Sequence, residues 1–144
     1  MTKHKPSISA VARTEVRFHD CDPLGIMWHG NYVKYFEEGR EAFGKKYAFD
    51  YMEMYHKGFA TPIVHLHADF KKPLRYRDVA LIETTYKRTE AAKIIFDYTI
   101  RNEATGEIIC KGNTIQVFVG SKDLELSLVV PDFIEEWMKK NGLS

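Results

Sequence analysis

The stretch that decides the fold is Arg17-Phe18-His19-Asp20-Cys21-Asp22-Pro23-Leu24-Gly25-Ile26-Met27-Trp28-His29-Gly30-Asn31-Tyr32, followed by the run from Val33 to Tyr47. It reads as a strand end, a tight loop carrying two acids, and a long helix. Tyr32, Tyr35, Phe36, Gly39, Phe43 and Tyr47 recur at spacings of three and four, the period of an apolar stripe on an α-helix. Lys34, Glu37, Glu38, Arg40, Glu41, Lys45 and Lys46 fill the other positions and want water or partners. Glu41 precedes Lys45 by four residues, the favoured order for a surface ion pair. Asn31 is a good N-cap, since its side chain can accept from an early free amide. Gly39 weakens a helix by about 1 kcal/mol relative to Ala, so its place on the apolar stripe suggests close backbone packing.

Before this stretch, Ser9 to His19 alternates, with Val16 and Phe18 opposing Glu15, Arg17 and His19, as in a strand with one wet face. After it, Asp50 to Lys57 reads as a short helix closed by Gly58. From Thr61 the period changes to two. Val64, Leu66, Ala68 and Phe70 share one face of a strand, and Ile63, His65, His67 and Asp69 share the other. Pro73 ends it. Val79 to Lys87 and Ile94 to Arg101 are two strands joined as a hairpin by Arg88 to Ala92. Asn102 to Gly106 turns, Ile108 to Val119 is a further strand, and Gly120 to Asp123 turns into a short apolar piece near Leu124 to Val129. Pro131 opens a final helix, Asp132 to Asn141. One strand, one long helix and a run of antiparallel strands make an α+β layout, a sheet wrapped around the helix.

At 144 residues the chain reads as one domain, 1–144, able to bury a core without metals or disulfides. A net charge of +1 gives no sign of a nucleic-acid partner. Met1 to Pro6 lacks an apolar h-region, so no signal peptide is expected, and no apolar run is long enough to span a bilayer. Cys21 and Cys110 lack framework spacing and read as free thiols in a reducing cytoplasm.

The run Asp20-Cys21-Asp22-Pro23-Leu24-Gly25-Ile26, with Trp28-His29-Gly30-Asn31-Tyr32, resembles the 4-hydroxybenzoyl-CoA thioesterase group of the hotdog-fold superfamily. Thr61-Pro62-Ile63-Val64, Tyr76-Arg77-Asp78-Val79 and the strand ending in Glu83-Thr84 follow in the same order, over about Thr14 to Val119. The resemblance implies a hotdog domain, a homodimer that builds one sheet across two chains, and often a homotetramer. It implies hydrolysis of an acyl thioester carried on coenzyme A or acyl carrier protein, without a cofactor.

Such hydrolysis needs a carboxylate to attack or to activate water, and donors to hold the developing oxyanion. The first amides of a helix are such donors. By the resemblance Asp22 is the catalytic carboxylate and the backbone N–H of His29 binds the thioester oxygen. Gly30 and Asn31, beginning the helix, can add a donor. Asp22 read from spacing alone is equally a turn former, as Asp-Pro and Leu-Gly are ordinary turn chemistry. Asp20 is the rival acid, read as structural. The His29 imidazole could act as acid or base, or only pack beside Trp28. A Cys21 nucleophile would need a depressed thiol pKa that nothing in the sequence supplies.

Tyr32 and Glu37 are candidates for touching the acyl group, though an aromatic stripe is commonly core and a helical Glu commonly solvated. His65, His67 and Asp69 could in principle hold a metal, but no third ligand of fixed spacing is evident; the expectation is no metal, and an interface or a cleft wall instead. Lys71, Lys72, Arg75 and Arg77, or Lys87, Arg88 and Lys93, could meet the phosphates of coenzyme A. The leading function is an acyl-CoA thioesterase. The alternatives are an acyl-ACP thioesterase and a non-catalytic hotdog protein that binds acyl ligands; a dehydratase of the same fold places its His and acid differently.

Overall fold

The computed structural model describes residues 8–143. The elements run β1 (Ile8–Glu15), α1 (Asn31–Tyr47), α2 (Tyr51–His56), β2 (Phe59–Ala60), β3 (Ile63–Phe70), β4 (Val79–Lys87), β5 (Lys93–Asn102), β6 (Ile108–Val117), β7 (Val119–Gly120) and α3 (Asp132–Lys140). Five strands form one antiparallel sheet in the order β1-β4-β5-β6-β3, and β2 pairs with β7. The period-two residues Ala80, Ile82, Thr84 and Tyr86 of β4 and Ile94, Phe96, Tyr98 and Ile100 of β5 all point to one buried face. That face curls around α1.

The helix supplies the centre of the core. Phe43 is fully buried, with ring centroids of Tyr47 at 4.8 Å and Phe96 at 4.9 Å. Phe36 stacks on Tyr98 at 4.3 Å. α3 closes the far end, where Trp137 packs on Phe49 and its indole N–H donates to the Tyr47 carbonyl at 2.8 Å. Asp50 caps α2, its carboxylate accepting from the Met52 N–H at 2.8 Å. The Glu41–Lys45 pair closes at 3.2 Å.

Gly39 is the point of closest helix–sheet approach. A Cβ there would lie 2.2 Å from Thr84 Oγ1 and 2.9 Å from Ile82 Cγ2. Both neighbours are β-branched and fully buried on a central strand, so neither can swing away. Gly39→Ala is therefore expected to lose stability: overpacking costs about 1–3 kcal/mol, against a gain of about 1 kcal/mol in helix propensity. Thermal unfolding should show a lower Tm; a rise would show that α1 has room at this position.

Four expectations are corrected. β1 stops at Glu15 rather than His19: Val16 is buried, but Phe18 sits in a 3-10 turn over Phe18–Asp20 and is 78% exposed. Asn31 is the first residue of α1 rather than its cap; Gly30 holds the cap position, and the Asn31 amide donates to the Asp20 carbonyl at 2.8 Å. Arg40 does not face water. It is 9% exposed, and its guanidinium donates to the Tyr98 hydroxyl at 3.0 Å, which shares a hydrogen bond with Thr114 Oγ1. Ile63 leaves the His65 face, because an irregularity between Ile63 and His65 sets Ile63 opposite the buried Gln116. The apolar piece at Leu124–Val129 forms only a bridge, Val119 to Leu126.

Candidate active site at the α1 tip

The acid loop is a miniature hairpin. Cys21 pairs with Met27, the Asp22 N–H donates to the Ile26 carbonyl at 2.9 Å, and the Trp28 N–H donates to the Asp20 carbonyl at 2.9 Å. The Gly25 N–H closes the turn on the Asp22 carbonyl at 3.0 Å. Gly25 itself has φ +78°, a conformation that glycine adopts without strain. Pro23 at the second position of this turn fits its fixed φ. The second arm is anchored to the body: the Met27 N–H donates to the Leu74 carbonyl at 2.7 Å, and Ile26 bridges Arg75.

Alternation on a ribbon sorts the side chains. Cys21 pairs with Met27, which is buried in the core, while Asp22 lies opposite Ile26 on the other side. The Cys21 Sγ donates to the Arg17 carbonyl at 3.7 Å. Burial, with Asp20, Asp22 and Asp78 adding to it, pushes its thiol up from the ordinary range. The thiol is thus held protonated at neutral pH, the wrong direction for a nucleophile.

The tip of α1 follows directly. The Asn31 N–H donates to the Trp28 carbonyl at 3.0 Å and the Tyr32 N–H to the His29 carbonyl at 3.3 Å. Among the described residues, the N–H groups of His29 and Gly30 have no acceptor. Two donors therefore stand open at the positive end of a 17-residue helix, four to five turns long. A Cβ at Gly30 would lie 2.2 Å from the Trp28 ring, so a larger residue there would have to displace that half-exposed indole.

Asp22 is half-buried, and its Oδ1 accepts from the Leu24 N–H at 2.8 Å. It does form the turn, and that bond fixes the plane of its carboxylate. The acid borders a cleft of about 440 Å³ with Phe18, His19, Pro23 and Tyr76 along its walls. Asp20 is occupied otherwise: its Oδ2 accepts from the Arg17 N–H at 3.0 Å, and its carbonyl takes both Trp28 and Asn31 donors. Its part is to tie the loop to the helix.

The His29 ring is exposed, 5.1 Å from the Trp28 ring and 6.3 Å from Phe70. Tyr32 is buried under the tip, with Phe70 at 5.2 Å, and burial raises its phenol. Glu37 is exposed, 3.9 Å from the Arg40 guanidinium. The Asp22 cleft does not reach His29 or Gly30 within one chain. Phe70 of β3 stands beside the tip, against the His29 and Tyr32 rings.

β3 is an edge strand bare on both faces, with Val64 60% and Phe70 53% exposed. On the face turned from α1, His67 Nε2 lies 3.1 Å from Asp69 Oδ2. Among the described residues of the single chain, no group of three or more His, Cys, Asp or Glu is arranged to hold a metal ion. Of the basic residues, Arg75 and Arg77 are the chain neighbours of Tyr76, which lines the Asp22 cleft, whereas Arg88 donates to the Leu143 carbonyl at 2.6 Å. Sequence reading missed Arg40, Tyr98 and Thr114 as a buried polar group; alternation put Tyr98 and Thr114 inward, but nothing local marked Arg40.

This geometry belongs to a known class. The thioesterase-like superfamily model matches residues 16–138, and the chain belongs to that family, with the hotdog fold. It is 33% identical over 122 residues to YneP of Bacillus subtilis, covering 83% of this chain and 88% of that one. The 4-hydroxybenzoyl-CoA thioesterase of Pseudomonas sp. is 27% identical over 135 residues, covering 88% of this chain and 96% of the other. The DHNA-CoA thioesterase of Staphylococcus aureus superposes with a TM-score of 0.82 at 25% identity, over 94% of this chain and 92% of its own.

Proposed function

We propose that this chain hydrolyses acyl-CoA thioesters at the tip of α1, acting as a single domain in a homodimer. The observation that carries this reading is the pair of open amides at His29 and Gly30, seven and eight residues after a carboxylate held in a fixed plane. The thioester oxygen accepts from those amides, which stabilise the negative charge it gains in the tetrahedral intermediate. Asp22 attacks the carbonyl carbon or takes a proton from the attacking water, and the thiolate of coenzyme A leaves. A relative named as a putative acyl-CoA thioesterase, at 33% identity, and the 4-hydroxybenzoyl-CoA thioesterase, at 27%, support this substrate class, while a relative named as an acyl-acyl carrier protein thioesterase, at 29%, keeps the carrier-protein substrate as the alternative.

The bare strand β3 supports the dimer. An antiparallel copy would satisfy its free backbone groups and cover Val64, Leu66 and Phe70. It would also cover Phe70, which stands exposed beside the tip of α1. Tyr32 then backs the acyl pocket and Glu37 lies along α1 toward its distal end. Arg75 and Arg77, on either side of the cleft residue Tyr76 in the chain, suit the phosphates of coenzyme A. No helix among the described residues is long and apolar enough to cross a membrane, and both cysteines are free, which suits the reducing cytoplasm.

The test is steady-state hydrolysis of a panel of acyl-CoAs, alkyl and aryl, with release of free coenzyme A measured. Turnover of at least one member is expected; a well-folded protein inert to all would contradict the proposal. His29→Ala is expected to keep kcat within about tenfold of wild type, because only its backbone donates, whereas an essential general acid or base is worth about 10²–10⁴-fold. A drop on that larger scale with the fold intact would move the imidazole into the reaction.

A further inference from the structure

We infer that two copies of this chain, paired through β3, build a site for a divalent transition-metal ion from His65 and His67 of each. This rests on the β3 dimer proposed above. A twofold axis normal to an antiparallel pair keeps each face on its own side. Directly opposed residues must therefore share a face, so their numbers sum to an even value.

Of the registers that obey this parity, the two centred at the middle of β3, on Leu66 and on His67, pair most of its length. Val64, Leu66, Ala68 and Phe70 face α1, as the Phe70 contact with Tyr32 shows, so His65, His67 and Asp69 face away. Pairing centred on Leu66 sets His65 against the partner's His67, twice. Pairing centred on His67 sets it against the partner's His67, with His65 against the partner's Asp69 on each side. Either way imidazoles from both chains stand opposed, with Cβ atoms about 4.5–5.5 Å apart. That span lets two rings share one ion at about 2.0–2.1 Å from each nitrogen.

Two details of the single chain point the same way. The Asp69 carboxylate sits 3.1 Å from His67 Nε2, within reach to act as a further ligand or to orient the ring. Asn113 lies directly across from His67 on β6, and its Oδ1 is buried without a donor among the described residues. It lines the same shallow cleft of about 350 Å³, together with Asp97 and Lys111. A water on a bound ion would supply the donor that Asn113 lacks. Lys111, opposite Asp69, offsets carboxylate charge there and leaves neutral imidazole as the main ligand. Imidazole favours zinc, nickel or copper over magnesium or calcium. Among the described residues one chain has no group of three ligands, so the proposed site needs both chains.

The experiment titrates zinc chloride into the metal-stripped protein by calorimetry, with mass measured by light scattering in the same buffer. The expected result is one zinc per two chains on a dimer, a Tm raised by zinc and restored by EDTA, and neither effect with magnesium. His67→Ala should weaken zinc binding by at least the roughly 10–100-fold that loss of a ligand's support costs. His56→Ala, on an exposed helix elsewhere, should leave it unchanged. A dimer that takes up no zinc, or takes it equally in His67→Ala, overturns the metal site alone. A monomer overturns the dimer as well as the site.

Discussion

Asp22→Asn is expected to lower kcat/KM for acyl-CoA hydrolysis by about 10²–10⁴-fold, the usual worth of a positioned general base, while the melting temperature stays close to wild type. The two halves of this result separate the turn-forming role of Asp22 from the catalytic role proposed for it. As a turn former it uses Oδ1 to accept from the Leu24 N–H. An asparagine oxygen accepts the same bond, so the hairpin from Asp20 to Trp28 keeps its shape. What asparagine cannot do is carry the negative charge that attacks the carbonyl or removes a proton from water. Wild-type turnover in Asp22→Asn would mean that the residue only shapes the loop. Asp22→Ala removes the turn bond too, and should cost about 1 kcal/mol of stability beside the lost rate.

Phe43→Ala is expected to have the largest effect on stability, a loss of about 3–5 kcal/mol, read as a lower midpoint in urea unfolding. The ring is fully buried where α1, β4, β5 and α3 meet, with Tyr47, Phe49, Tyr86, Phe96 and Trp137 around it. Neighbours fixed on a central sheet and on two helices cannot collapse into the space, so the cavity term adds to the lost transfer free energy. Phe18→Ala, removing an exposed ring, is the control and should change the midpoint little. Equal losses in the two variants would mean that α1 is not the centre of the core.

Much of this architecture was legible in the sequence because its signals are local and periodic. The stripe from Tyr32 to Tyr47 marked the helix and its buried face, and the alternation through Val79 to Lys87 and Ile94 to Arg101 marked a hairpin. Gly39 announced close packing before Thr84 was known to be the neighbour. The errors fell where a tertiary contact overrode local preference. Phe18 continued the alternation of β1, but the Arg17–Asp20 bond folds that segment into a turn and leaves the ring outside. Asn31 looked like a cap until Asp20 claimed its side chain. Arg40 reads as a surface residue until the Tyr98 hydroxyl appears beneath it, from a strand 58 residues away.

The site was legible in part. The motif from Asp20 to Tyr32 marked the acid-bearing loop and the start of α1, and the structure has both there. Which amides would remain open could not be read, because that depends on Asp20 accepting from Trp28 and on two tight turns consuming the Asn31 and Tyr32 donors. Nor could the sequence say that the strand nearest the helix tip, β3, would be a bare sheet edge.

The most direct measurement is a crystal structure of Asp22→Asn with a non-hydrolysable acyl-CoA ketone bound. The ketone oxygen is expected about 2.7–3.1 Å from the His29 or Gly30 N–H, and the carbonyl carbon about 3–3.5 Å from the position-22 side chain or from a water it holds. A ketone seated elsewhere, with both amides turned to solvent and position 22 out of reach, would contradict the assignment of this helix tip as the place where the thioester is broken.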